Sequence, residues 1–582
     1  MSHIPARVLA LAAASLFAVA APGLAQDVAI ENNVPMQARD GVTLRSDIYR
    51  PSAPGRYPVI LERTPYDKRA DVNFGVTGAS RGYVVVIQDV RGRWASDGEW
   101  YPLKNEANDG YDCVEWAAAL PSSNGRVGMF GGSYVGATQM LAAIAAPPHL
   151  VCIMPAVIAS DSYSHWVYQG GAFAQMLNQG WTSALALNTL ERRVARTAQP
   201  SHWDMQRPLD AYPVLDLGSA DSLAGYYHDW LRHPSYDDYW RAWSIEEHFS
   251  RITVPALHVG GWYDLFQDGT LRNYAGIAAA GGSEAARRGQ RLVMAAGGHA
   301  GAGPKIRDVD FGKASVLDTW ALAFRWYDYM LRGIDNGMAG EKPVRIFVMG
   351  KNVWRDEDAW PPARASVTPW YLHSRGGANS LAGDGRLGPL SPGKEPADTF
   401  RYDPLDPAPT LGGPAFGDFH QVPGPCDQRP VEARRDVLVY STPPFASDTE
   451  ITGHVTLDLY VSSSALDTDI TGKLIDVAPD GAAMNLSEGI LRLRYRESRE
   501  RAVLMKPGEV YRVSIDLWST SNVFRAGHAL RLEISSSNFP RFDRNLNTGG
   551  AIGGPPSDAR VAENSVYHDA AHPSALLVPL MP

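Results

Sequence analysis

The chain holds only three cysteines among 582 residues, Cys113, Cys152 and Cys426. At most one disulfide can form, so a packed core rather than a disulfide framework must hold the fold. Their spacing fits no metal site, and Cys113 and Cys152 sit in apolar surroundings, as buried thiols do. Charge is sparse as well. Charged residues make up 20% of the chain, the net charge is −9, and no block of Lys and Arg stands out. That argues against nucleic acid as a partner, which needs a basic face. No run beyond the N-terminal region is long and apolar enough to be expected to span a membrane.

What is present is an ordinary globular composition, 45% hydrophobic, in a chain too long for one core. Residues 1–25 read as an export signal: Arg7 precedes an apolar run over residues 8–21, and Gly23-Leu24-Ala25 has the small-residue spacing of a cleavage site. A periplasmic or secreted location is therefore expected.

From residue 26 to 155, short apolar runs alternate with helical patterns. The runs cover residues 58–61, 83–87, 127–130 and 151–154; helical stretches cover 111–120 and 134–146. Continuous apolar strands separated by helices predict a parallel sheet covered on both faces. Residues 156–251 break the pattern and hold six tryptophans: Trp166, Trp181, Trp203, Trp230, Trp240 and Trp243. An insertion here predicts a helical cap over the carboxyl ends of the strands. Strands resume at residues 255–259 and 292–295, and this second part of the core is expected to end at residue 344. From residue 345 to 582, period-two alternation such as Val455, Leu457, Leu459 and Val461 predicts an antiparallel sandwich or jelly roll. The Gly- and Pro-rich stretch 376–425 reads as an irregular excursion.

Val127-Gly128-Met129-Phe130 runs into Gly131-Gly132-Ser133-Tyr134-Val135-Gly136 and then a helix. This is the strand–turn–helix setting of a nucleophile elbow, although the usual glycine two after the serine is Val135 here. The bare motif also reads as a glycine-rich turn with Ser133 as a helix cap. A serine nucleophile needs a base and an acid that orients it. Asp264 and His299 each follow an apolar strand in a Gly-containing turn, in the chain order serine, acid, histidine. Asp268, His258 and His149 compete, but His258 lies inside an apolar run and Asp268 inside a helical pattern. The backbone N–H of Tyr134 should face a developing oxyanion. Tyr66, placed by Pro65, offers a second donor or is a surface turn residue; the residues alone leave both open.

Taken together, the segments Arg63-Thr64-Pro65-Tyr66-Asp67-Lys68, Gln88-Asp89-Val90-Arg91-Gly92, Gly131-Gly132-Ser133-Tyr134-Val135-Gly136, Gly261-Trp262-Tyr263-Asp264 and Gly298-His299 resemble the Xaa-Pro dipeptidyl-peptidase-like hydrolases. This group includes cocaine esterases, α-amino acid ester hydrolases and glutaryl-cephalosporin acylases. The segment 530–540 resembles the family's C-terminal jelly roll. The resemblance implies an α/β-hydrolase core, a helical cap and a galactose-binding-like jelly roll. It implies catalytic residues Ser133, Asp264 and His299, and an oxyanion hole from Tyr66 and Tyr134. It implies no metal or organic cofactor. The expected activity is hydrolysis of small ester or amide substrates through an acyl-enzyme. Xaa-Pro dipeptidyl-peptidase or α-amino acid ester hydrolase activity is the alternative within the class. A carbohydrate-binding protein with an inert core is the alternative outside it. Trp166, Trp262 and Phe266 are expected to line the substrate pocket.

Overall fold

The computed structural model describes residues 27–197, 223–299, 301, 303–415 and 423–582. The signal-like segment 1–25 and Trp203 of the cap lie outside the described residues.

Ten strands form the first sheet: β1 (Val28–Gln37), β2 (Thr43–Pro51), β3 (Tyr57–Thr64), β4 (Val84–Asp89), β5 (Ser123–Gly132), β6 (Leu150–Ala156), β7 (Leu257–Tyr263), β8 (Arg291–Gly298), β9 (Val344–Val348) and β10 (Val353–Glu357). Their spatial order is β1-β2-β4-β3-β5-β6-β7-β8-β9-β10. Pairing is parallel from β4 through β9 and antiparallel at both edges. The chain leaves β3 toward β4 on one side and returns to β5 on the other. That reversal opens a crevice at the carboxyl ends of β3 and β5, where ligands bind in such sheets.

The crossovers are α1 (Val72–Ser80), α2 (Glu106–Ala118) and α3 (Tyr134–Ala145). The long cap helix α4 (Gln175–Thr197) follows, then α5 (Gly225–Arg232), α6 (Gln267–Ala280) and α7 (Thr319–Arg332). The apolar strands are continuous because both faces are buried. Leu61, Val84 and Val86 pack with Val114 of α2 and Met140 of α3. Ile60, Val85 and Ile87 pack with Phe74 of α1 and with Phe324 and Tyr327 of α7. Cys113 and Cys152 are buried on opposite faces, and all three thiols are free. Burial pushes the Cys113 thiol up to about 12, so it stays protonated.

The sheet continues through Glu357, past the change of pattern at residue 344. The strand Val344–Val348 pairs with β8. A short apolar strand looks alike in either kind of sheet, so only pairing decides where it belongs.

The C-terminal region is an all-β domain built on an eleven-stranded sheet. Its long strands Thr449–Ser463 and Tyr511–Phe524 pair antiparallel, with Leu457, Leu459, Val513 and Ile515 buried as the alternation requires. The stretch expected to be irregular contains the strands Arg386–Gly388 and Asp398–Tyr402. One apolar cluster runs from β7, β8 and β9 into this domain, joining Leu292 and Ile346 to Leu457 and Ile515. No helix among the described residues is long and apolar enough to cross a membrane.

Candidate active site

Ser133 sits between β5 and α3 with φ +59° and ψ −132°. A non-glycine residue there stores roughly 1–3 kcal/mol of strain. The surroundings impose it. Ser133 N–H donates to Ala156 O at 2.9 Å, at the end of β6. A Cβ on Gly131 would lie 2.2 Å from Val135 Cγ1, so the turn closes only over glycine. A Cβ on Gly136 would lie 2.2 Å from Ile158 Cγ2. This explains the displaced glycine: close approach is needed three residues after the serine, where α3 meets the loop beyond β6.

Asp264 ends β7 and His299 ends β8, with Tyr263 and Gly298 in register between these strands. His299 Nδ1 is 2.8 Å from Asp264 Oδ1, and His299 Nε2 is 3.0 Å from Ser133 Oγ. Asp264 is fully buried. A carboxylate oxygen accepting from Nδ1–H orients the imidazole so that Nε2 faces the serine proton.

Tyr66 follows β3. Its turn is pinned at Pro65, whose carbonyl accepts from Arg93 Nε at 3.1 Å and Trp94 Nε1 at 2.9 Å. Trp181 of α4 donates its indole N–H to Tyr66 Oη at 3.0 Å. Burial raises the Tyr66 phenol above its ordinary value against hydrogen bonds with Trp181 and Ser133, so it remains a proton donor. As the first residue of α3, Tyr134 has no intrahelical acceptor for its N–H. Its side chain is anchored at the phenol: Tyr134 Oη donates to Glu106 Oε1 at 2.8 Å and accepts from Leu103 N–H at 2.9 Å. Glu106 in turn pairs with buried Arg63 at 2.7 Å.

Beside Ser133 lies a small pocket of about 20 Å³, lined by Leu103, Tyr134, Ile158, Trp166 and Phe266. Phe266 stands edge-on to His299, with ring centroids 5.3 Å apart, and Trp166 edge-on to Phe266 at 5.9 Å. Two of the three expected pocket residues are therefore here. Trp262 is not. Its ring faces Trp360 and its indole donates to Phe347 O at 2.7 Å, within the cluster shared with the C-terminal domain. Trp262 still belongs to β7, which ends at Tyr263, whereas Asp264 already lies in the turn beyond it, so proximity in sequence to Asp264 did not bring Trp262 to the pocket. Trp181, which the sequence offered only as one cap tryptophan among six, is the indole that touches Tyr66.

The competing residues are engaged elsewhere. His258 is fully buried against Gln290 at 2.8 Å, and burial lowers it to about 4. His149 pairs with Glu115 on the surface. Asp268 holds His165 at 3.0 Å and Arg272 at 2.5 Å, and Asp161 holds Arg499 at 2.7 Å. Asp268, His454 and Asp516 bring ligand atoms within 4.8 Å of one another. Arg272 already supplies positive charge there, 3.8 Å from Asp516.

The profile of the X-Pro dipeptidyl-peptidase (S15) family matches residues 40–301, and that of the X-Pro dipeptidyl-peptidase C-terminal non-catalytic domain matches residues 336–577. The chain is 38% identical over 575 residues to the cocaine esterase of Rhodococcus sp. strain MB1 Bresler, covering 95% of this chain and 98% of that one. Among solved structures it is similar to an α-amino acid ester hydrolase, with a TM-score of 0.79 at 25% identity over 96% of this chain and 98% of that one. It is also similar to an aminopeptidase from a marine sediment Thaumarchaeota archaeon, with a TM-score of 0.82 at 25% identity over 98% and 99%.

Proposed function

The chain belongs to the X-Pro dipeptidyl-peptidase (S15) family of hydrolases, and from that membership we propose that it is an esterase of small, uncharged acyl groups with Ser133 as nucleophile. The class itself, a serine hydrolase acting on esters or amides, follows from its relatives. The observation that carries the finer reading is the continuous chain Ser133–His299–Asp264 at 3.0 and 2.8 Å, with Tyr66 facing the same serine.

The chemistry follows from this geometry. His299 Nε2 takes the proton of Ser133 as Oγ attacks the substrate carbonyl, and buried Asp264 stabilises the imidazolium. The Tyr66 phenol and the Tyr134 N–H donate to the oxyanion, both held in place before reaction begins. The tetrahedral intermediate collapses, His299 passes its proton to the leaving oxygen, and the acyl group stays on Ser133. Water then repeats the sequence and frees the acid.

The acyl group meets Trp166, Phe266 and Leu103, an apolar wall with little free space. Asp161 of the cap and Asp268 of α6 are already neutralised by arginines. An acyl ammonium would lose its hydration for no free counter-charge. This favours the esterase reading over the amino-ester one. Export to the periplasm or beyond is part of the proposal, supported by the signal-like segment 1–25.

Labelling the purified protein with a fluorophosphonate tests the nucleophile. Covalent capture mapping to Ser133, absent in Ser133→Ala, is the expected result. An unlabelled protein that still folds would refute it.

A further inference from the structure

Residues Ile60 and Glu62 of β3 point to the face covered by α1 and α7. Ile60 joins the apolar cluster there, but Glu62 is a carboxylic acid only 2% exposed. Its Oε2 has no hydrogen-bond partner. Its polar neighbour is Asp71, which precedes α1 yet whose side chain makes no cap hydrogen bond to that helix. Among the described residues no lysine, arginine or histidine pairs with either group. Burial and the adjacent Asp71 hold the Glu62 carboxyl well above the usual carboxylate range. One proton is therefore kept where two carboxylates would repel.

This pair lines a cavity of about 350 Å³ that also reaches Tyr66, Gly132 and His299. Asp71 and Thr319 at its rim are partly exposed. The cavity lies on the α1/α7 side of the sheet, whereas the small pocket at Trp166 lies on the cap side of Ser133. The two therefore divide a substrate at its carbonyl. A leaving group departs past His299, which gives it a proton, and His299 itself lines the larger cavity.

We propose that this cavity receives the leaving-group half of the substrate, and that Glu62 with Asp71 recognises a protonated amine carried on it, so that the preferred substrates are esters of amino alcohols. This rests on the esterase reading above. An alkylammonium would take the place of the shared proton, keep the same charge balance, and give Glu62 Oε2 the donor it lacks. Charge-assisted hydrogen bonds of this kind are the strong ones. Recognition would thus fall on the alcohol side, while the acyl side stays apolar.

The test compares 2-(dimethylamino)ethyl phenylacetate with 3-methylbutyl phenylacetate, which has carbon in place of nitrogen. The ammonium also activates its own alcohol, so the decisive quantity is how the ratio of kcat/KM values responds to substitution. A fall of about ten-fold or more is expected in Glu62→Gln, and a fall in the same direction in Asp71→Asn, which alters the partly exposed member of the pair. Product inhibition of the unaltered enzyme with p-nitrophenyl acetate needs no variant: 2-(dimethylamino)ethanol should inhibit at concentrations about ten-fold or more below those of 3-methylbutanol. Equal inhibition by the two alcohols, or a ratio untouched by either substitution while the neutral ester is still hydrolysed, would overturn the amine site and leave the esterase standing. No turnover of either ester would overturn both.

Discussion

Trp181 donates its indole N–H to the phenol oxygen of Tyr66 across 3.0 Å. That contact fills one acceptor position of the phenol and turns its proton toward Ser133. The cap thereby sets the direction of a donor that belongs to the core. Tyr66→Phe should lower kcat about a hundred- to thousand-fold with little change in KM, because the donor acts on the transition state. Trp181→Phe should cost less, about ten-fold in kcat. The two losses should not add: in a Tyr66→Phe background, Trp181→Phe should have little further effect on kcat. Additive losses in steady-state rates would show that Trp181 acts by packing and not through Tyr66.

Ser133→Ala and His299→Ala should each lower kcat by about ten-thousand-fold or more while the unfolding midpoint stays close to that of the unaltered protein. The double variant should be hardly worse than either single one, since the two groups act as a unit. Residual ester hydrolysis near the normal rate in Ser133→Ala would remove this serine from the mechanism.

His258 makes a pH-dependent contribution to stability that is separate from catalysis. Buried against Gln290, its imidazole is lowered to about 4, against roughly 6.5 in an unfolded chain. Above about pH 6.5 both states are neutral and nothing is lost. As pH falls below that value, the unfolded chain binds a proton that the folded one refuses. Stability therefore drops until about pH 4, by on the order of 3 kcal/mol in total. In urea unfolding at pH 7 and pH 4.5, His258→Gln should lose less stability between the two conditions than the unaltered protein. Equal losses would mean that the imidazole is protonated in place or that its burial is relieved.

The relation of sequence to site differs from residue to residue. Ser133, Asp264 and His299 were legible because each follows an apolar strand of one parallel sheet, and such strands deliver their loops to the same edge. Trp181 was not, because nothing in a helical pattern says which of several cap indoles reaches a turn 115 residues earlier in the chain. Trp262 misled because it stands two residues before Asp264, yet Asp264 has already left the strand for the turn while the Trp262 indole stays in β7 and bonds to Phe347. Glu62 was hidden at the end of the apolar run over residues 58–61, where a charge reads as the strand emerging into solvent. In the fold it remains buried, because Thr64 rather than Leu61 ends the strand.

The acyl side of the site yields the remaining prediction. Leu265, Phe266 and Gln267 follow Asp264, and none carries a charge that could meet an acyl ammonium. Phe266 offers only its ring, and a cation–π contact is worth about 0.5–2 kcal/mol, less than the hydration an ammonium gives up on burial. Asp161 is bound to Arg499 and Asp268 to Arg272 and His165, so freeing either would break charge-assisted contacts already made. A phenylacetyl ester should therefore be turned over with a higher kcat/KM than the matching phenylglycine ester near neutral pH, by about ten-fold or more. Raising the pH until the phenylglycine amine is neutral should narrow the gap, because the penalty belongs to the charged form. A preference for the amino ester that disappears in Asp161→Asn or Asp268→Asn would show that one of these carboxylates exchanges its arginine for substrate.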